Sequence, residues 1–255
     1  MGGLSRLGAR LAPPSIRRDH SRSLGDWLPA DPGLRILDFG CGNARLLHCL
    51  RDRGLRDLVG FDFDAKARTA ARGDGFEIVD TIDALRPPAR LFDVIVLNHV
   101  LEHLDDPEGT LRELLGLRAT EGLLDLRTPN VSSALARLFG DDWRGWETPR
   151  HLHLLDVRSA RRLAARLPGT HALIRTGNGI FQGMFHESFV APVWRTLPGR
   201  VVRHLLFPLA AWTCVAWDAL AGGLGEEVVI EIRRDAAAGM GTSSALTLAG
   251  RKRRA

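Results

Sequence analysis

The stretch Arg35-Ile36-Leu37-Asp38-Phe39-Gly40-Cys41-Gly42-Asn43-Ala44-Arg45 reads as a buried strand that runs into a glycine-pinched turn and then a helix. Ile36, Leu37 and Phe39 are apolar and suit a central strand. Gly40 and Gly42 let the backbone turn tightly and approach a ligand with no Cβ in the way. Asp38 sets a carboxylate at the strand's carboxyl end, the edge at which open α/β sheets bind ligands. A second strand, Leu58-Val59-Gly60-Phe61, ends at Asp62. That lies about 20 residues further on, where a ribose-binding acid is expected.

Two readings of this loop compete. A dinucleotide loop carries a third glycine and sets a helix N-terminus against a pyrophosphate. Here the third glycine is missing, and Asp38 before the first one would repel a pyrophosphate. A cationic or amine-bearing ligand suits it better. Leu37-Asp38-Phe39-Gly40-Cys41-Gly42 resembles the first motif of class I S-adenosylmethionine-dependent methyltransferases, whose ligand carries a sulfonium and an amino group.

Later segments extend the resemblance. Phe92-Asp93-Val94-Ile95-Val96-Leu97-Asn98 looks like that family's fourth strand, and His99-Val100-Leu101-Glu102-His103-Leu104-Asp105-Asp106-Pro107 follows. The phrase is close to the one in the branch that includes the ubiquinone-biosynthesis O-methyltransferases. Thr128-Pro129-Asn130 and Pro149-Arg150-His151-Leu152 also look like that branch. The resemblance covers 34–167, with a last strand at Val228–Ile232. It implies a doubly wound, mainly parallel seven-stranded α/β sheet. It also implies S-adenosyl-L-methionine as cofactor and methylation as activity.

Composition is consistent with one globular domain. The 255 residues are 45% hydrophobic and 25% charged, enough for a full core and one insertion. The formal charge is +5 and the pI about 10. Lysine occurs only at Lys66 and Lys252, so 33 of the 35 basic residues are arginine. They are scattered, which speaks against a specific nucleic-acid footprint. Cys41, Cys49 and Cys214 show no paired spacing, so a reducing cytoplasm is expected. The N-terminus has arginines but no long apolar core and does not read as a signal peptide.

Three zones are expected: an N-terminal helical segment over 1–33, a methyltransferase domain over 34–234, and a disordered basic tail over 235–255. Strands and helices alternate to residue 127, with helices at 15–28, 46–53, 65–72 and 107–117. The residues 119–122 read as a turn before a fifth strand, Leu123–Arg127. The rhythm then breaks into an insertion, 129–155, rich in charge and tryptophan. Long irregular insertions at a ligand edge are more often functional than decorative. Trp143, Trp146, Arg150 and His151 are therefore candidate acceptor contacts. A helix over 154–167 and a strand over 171–176 follow. The helix over 201–220, within the apolar region 193–222 that holds Trp194, Trp212 and Trp217, is apolar nearly all round. Core packing, a homodimer interface and shallow contact with the inner face of a membrane all remain open for it.

In the resemblance, Asp38, Gly40 and Gly42 would line the methionine end of the cofactor. Asp62 would hold the ribose hydroxyls, Phe63 would pack on adenine, and Asp80 or Asp83 would meet the adenine amine. Asn98 sits where strand four meets cofactor and acceptor. His103 is the candidate acceptor-side base or positioner, with His99 beside it, because histidine titrates near neutral pH. On a helical turn His99, Glu102 and His103, at i, i+3 and i+4, would share one face, and they also match a divalent-metal trio in residue type. The branch has Glu-x-x-Glu-His there, so His99 makes the match partial and a metal ranks below a metal-free site. Arg127 and Arg150 are possible anion contacts; Arg150 could equally pair with Glu147. The acceptor expected is a small or lipid-linked molecule methylated at oxygen. A nucleic-acid methyltransferase and a non-catalytic cofactor-binding scaffold are the rivals.

Overall fold

Seven strands form one sheet: β1 (Arg35–Phe39), β2 (Asp57–Phe61), β3 (Glu77–Val79), β4 (Phe92–Asn98), β5 (Arg118–Pro129), β6 (Thr170–Gly177) and β7 (Glu227–Arg234). The computed structural model describes residues 28, 31–85, 91–188 and 196–235. The helix expected over 15–28, apart from Leu28, Trp194, and the tail beyond 235 lie outside the described residues. The strand order is β3-β2-β1-β4-β5-β7-β6. The first five strands are parallel, and β7 runs antiparallel to both neighbours. The expected doubly wound, mainly parallel sheet is what forms.

Sequence chemistry explains the central strands. A parallel sheet covered on both faces needs near-continuous apolar runs. Ile36, Leu37, Phe39, Val94, Ile95, Val96 and Leu97 are all buried. Alternation sends Leu37, Ile95, Leu97, Leu124 and Leu126 to one face, with Leu111, Leu114 and Leu117. Ile36, Val94 and Val96 go to the other, with Leu46, Leu47 and Leu50. Each such leucine contributes roughly 1.5–3 kcal/mol by leaving water.

The flanking helices are α1 (Arg45–Asp52), α2 (Ala65–Gly73), α3 (Pro107–Leu117), α4 (Ala134–Phe139), α5 (Val157–Ala164), α6 (Phe181–Glu187) and α7 (Leu197–Ala221). Their starts follow capping rules. The Asp64 side chain accepts from Lys66 N–H, and that of Asp106 from Gly109 N–H with Pro107 in the first turn. Asp156 and Ser159 form a reciprocal capping box, so α5 begins at Val157, later than the helix expected from 154.

One further expectation is corrected, and one left open is narrowed. Residues 119–122 are not a turn: β5 already starts at Arg118, and its register against β4 slips between Phe92 and Val94. The bulge absorbs the extra residues that looked like a break. Helix α7 is not buried all round. Phe207, Ala211 and Cys214 pack with Leu135, Trp143 and Phe185 in a third apolar cluster. Leu205, Leu209, Trp212 and Leu220 stay exposed along the opposite stripe.

Candidate functional site

The glycine loop is tied to β2 at the carboxyl edge of the sheet. Gly40 and Cys41 both donate backbone N–H to Phe61 O, at 2.7 and 2.9 Å. Gly40 has φ +85°, and a Cβ there would stand 2.3 Å from Val100 Cγ2. Its smallness therefore lets this loop touch the segment after β4. Gly42 has φ +50° and open space where a Cβ would point. Its N–H donates to Asp62 Oδ2 at 2.8 Å, while Asp64 N–H donates to Oδ1 at 2.8 Å. Both oxygens are oriented, and each keeps a lone pair for a further donor.

Asp38 is 3% exposed, and no hydrogen bond to its carboxylate is found among the described residues. Burial pushes its pKa up to about 7, and the charge of Asp62 adds to the shift. Such a carboxyl regains its charge when a cation arrives beside it. An ammonium or sulfonium fits the pair; a pyrophosphate does not. The open Gly42 face, the aimed Asp62 oxygens and the desolvated Asp38 thus fit S-adenosylmethionine.

Phe63 stands at the lip, 58% exposed, with its ring edge-on to Phe39 at 5.7 Å and Phe61 at 5.1 Å. Asp80 is exposed and pairs with Arg72 at 2.8 Å and Arg68 at 3.1 Å, which hold its carboxyl below the usual range. Asp83 lies in a 3₁₀ turn, Ile82–Leu85. Asn98 is half-buried at the end of β4, in register with Arg127.

Directly after β4 the backbone reverses. His99 has φ +56°, and its N–H donates to Arg127 O at 2.9 Å. The turn that follows, Leu101–His103, is 3₁₀ and excludes His99. His99 thus does not share a helical face with Glu102 and His103. It pairs with Glu102, Nδ1 to Oε1 at 3.2 Å, although Glu102 is 1% exposed. Burial opposes both charges, but their mutual attraction wins: the His99 pKa is raised and that of Glu102 lowered. Arg127 does not face an incoming anion. It is buried, 3.1 Å from Asp125 and 3.8 Å from Glu227. Asp125 and Glu227 were missed from the sequence. An alternating charge on β5 and a Glu-Glu pair opening β7 were the only signals.

The insertion closes on this turn from above. Leu152 and His153 donate backbone N–H to Glu102 O at 2.7 and 3.2 Å. His103 Nδ1 donates to Arg150 O at 2.8 Å. The Arg150 guanidinium pairs with Glu147, which Arg144 also holds at 2.9 Å. Of the two readings of Arg150, the structure shows the ion pair. Trp143 does not face a ligand: it is 2% exposed, under Gly145 and edge-on to Trp146 at 5.4 Å. Trp146 is half-buried and donates its indole N–H to Gly140 O at 2.8 Å. Among the described residues, the metal-type ligand atoms that come together belong to Glu102, His103 and His151, within 4.8 Å of one another. His151 takes the place expected for His99.

Comparison with known proteins agrees with the sheet and the loop. A family model described as a methyltransferase domain matches residues 4–167. The ubiquinone biosynthesis O-methyltransferase of Sinorhizobium medicae (strain WSM419) is 30% identical over 131 residues, 48% of this chain and 52% of that protein. The enzyme of the same name from Ruegeria pomeroyi is 34% identical over 148 residues, 54% and 58% of the two chains. The chain thus spans about half the length of the curated relatives it matches. Among solved structures, the plantazolicin methyltransferase BamL, in complex with a triazolic desmethylPZN analog and SAH, superposes with TM-score 0.56. It is 16% identical, covering 91% of this chain and 90% of that one. A possible histamine N-methyltransferase from Thermotoga maritima gives TM-score 0.55 at 15% identity, covering 91% of each chain. At these identities the structures show a common fold. The fold is that of class I S-adenosylmethionine-dependent methyltransferases, and with a family match over most of its length this chain belongs to the methyltransferase-domain family.

Proposed function

We propose that the protein transfers a methyl group from S-adenosylmethionine to a hydroxyl oxygen of a small or lipid-linked acceptor. The observation that carries this is the Asp62 carboxylate, aimed by Gly42 and Asp64 N–H groups beside the desolvated Asp38. The cofactor, when bound, supplies a methyl already activated on sulfur, so the protein's work is proximity and orientation. Asp38 would meet the cationic methionine end and Asp62 the ribose hydroxyls. Phe63 would lie against adenine.

Oxygen as the methylated atom is supported by the curated relatives' names and by the turn after β4. A hydroxyl must lose its proton as the C–O bond forms and the C–S electron pair returns to sulfur. Val100 brings this turn against the glycine loop, so its Glu102 and His103, with His151, stand on the acceptor side. They supply the proton-accepting end of the site, and the residues 144–151 form its wall.

A lipid-linked acceptor is favoured by one observation. The stripe of α7 that carries Leu205, Leu209, Trp212 and Leu220 is exposed over a helix of 25 residues. Amphipathic helices with aromatic and leucine faces settle into membrane interfaces. Among the described residues no helix is long and apolar enough to cross a membrane. Peripheral contact with the inner face of a membrane fits the stripe, with a homodimer as the competing use.

Calorimetric titration with S-adenosylmethionine and S-adenosylhomocysteine, alongside Asp62→Ala, tests the cofactor reading. Micromolar binding that weakens at least tenfold in the variant is expected. Folded protein that binds neither ligand would sink the enzyme reading and favour a scaffold.

A further inference from the structure

Asp62 and Phe63 follow β2, and Asp80 follows β3, its parallel neighbour, so the two loops stand side by side at the carboxyl edge of the sheet. Helix α2 starts just after the first loop and packs on both strands. Its Arg68 and Arg72 share one helical face and reach back to this edge. Arg68 Nη1 donates to Asp62 O at 2.7 Å and to Phe63 O at 3.1 Å, and Nε donates to Asp80 Oδ1 at 3.1 Å. A terminal guanidinium nitrogen carries two hydrogens, so one atom can serve both carbonyls.

Those carbonyls belong to the peptide planes on either side of the Phe63 Cα. The planes are rigid, and only φ and ψ of Phe63 relate them. Pinning both to one nitrogen therefore fixes the Phe63 backbone, and with it the direction in which the ring leaves the chain. Asp62 is held at three points: Gly42 and Asp64 N–H on the carboxylate, each at 2.8 Å, and Arg68 on the carbonyl. The contacts of Arg68 are unequal. The Asp80 side chain is 64% exposed, so water and salt screen that ion pair and it contributes little. Arg68 itself is 17% exposed, and charge-assisted bonds from a mostly buried guanidinium are the stronger ones. Asp80 serves to orient the guanidinium plane, with Arg72 on its other oxygen at 2.8 Å.

We propose that Arg68 is a positioning residue for the adenosine half of the cofactor, acting through Asp62 and Phe63 without touching the ligand. The inference rests on the reading of Asp62 as the acid that meets the ribose hydroxyls. The gain is preorganisation: a carboxylate already aimed loses less freedom when those hydroxyls arrive. Lysine does not replace arginine in this role, because a compact ammonium lacks the planar fork that reaches both carbonyls and Asp80 at once.

A thermodynamic cycle on the full chain tests this. Calorimetry reads the affinity of wild type, Arg68→Ala, Arg68→Lys and Arg72→Ala for S-adenosylhomocysteine and for its 2′-deoxy analogue, with a thermal melt of each protein to show that it folds. In wild type, removal of the hydroxyl should weaken binding roughly tenfold or more, because a donor to a carboxylate is lost. Arg68→Ala should weaken S-adenosylhomocysteine about tenfold, yet the further loss on the 2′-deoxy analogue should shrink to about twofold. Arg68→Lys should fall between the two. Arg72→Ala, which leaves the bonds to Asp62 and Phe63 in place, should keep the full wild-type penalty. Equal penalties in wild type and Arg68→Ala would overturn the proposal, since a merely structural arginine lowers both affinities alike. So would an Arg68→Ala variant that binds as wild type does, or a wild type indifferent to the hydroxyl. Wild type that binds neither compound removes the cofactor reading and the proposal with it, whereas tight binding with additive losses removes the role of Arg68 alone.

Discussion

Asp38 is the residue at which sequence, burial and function conflict most. Its carboxyl is pushed from 3.8 to about 7 by burial and then by Asp62. A raised acid pKa means that the folded state holds the proton more tightly than the unfolded one. Stability from this group is full below about pH 4 and is lost as pH rises through about 7. The shift corresponds to a penalty on the order of 4 kcal/mol for the ionised, ligand-free protein. Asp38→Asn should therefore melt later than wild type at pH 8, by roughly 2–4 kcal/mol of stability, with the gain fading at pH 4.5. The same variant should bind S-adenosylmethionine at least tenfold more weakly. Wild-type affinity should fall as pH drops below about 7, because protons compete for Asp38. A variant that melts earlier than wild type at pH 8 would contradict this account. The two glycines differ as well. Gly40→Ala meets both a left-handed φ and Val100 Cγ2 at 2.3 Å, so a loss of about 2–4 kcal/mol is expected. Gly42→Ala meets only the φ, so about 1 kcal/mol should be lost, together with cofactor affinity. Denaturant melts of the two variants check the ranking.

At the scale of elements, α7 has two apolar stripes with different fates. Phe207 is 2% exposed and stacks against the His186 ring at 5.1 Å. Phe207→Ala should cost about 3–5 kcal/mol by leaving a cavity. Leu209, 64% exposed, should tolerate Asp within about 0.5 kcal/mol in thermal unfolding. The hydrophobic pattern of 201–220 could not separate these stripes, because both are made of the same residue types. Only the position of Trp143 and Phe185 decides which stripe is covered. The 3₁₀ turn after β4 has the same character. The spacing of His99, Glu102 and His103 suggested one helical face, and the left-handed φ of His99 breaks it. That dihedral is set by the hydrogen bond to Arg127 O on the neighbouring strand, which no local pattern encodes.

For the molecule as a whole, the α7 stripe predicts behaviour at a surface. Sedimentation with anionic phospholipid vesicles should capture wild type and lose Leu205→Asp/Leu209→Asp, with S-adenosylhomocysteine affinity unchanged. Doubling of mass with concentration, abolished by the same pair, would assign the stripe to a dimer instead. The sequence by itself determined the parallel sheet, the glycine loop and the acids at its edge. These depend on local rules: apolar runs for strands covered on both faces, small residues at tight turns, acids at strand ends. Tertiary structure alone decided which histidine joins Glu102 and His103. His151 lies 48 residues after His103, and the two meet because Leu152 and His153 bond to Glu102 O. It also took Trp143 into a core cluster, and Arg127 into ion pairs with Asp125 on its own strand and Glu227 across the sheet. Side chains of one type are sorted between packing, pairing and binding by what the fold sets beside them, and that is a property of long-range contacts.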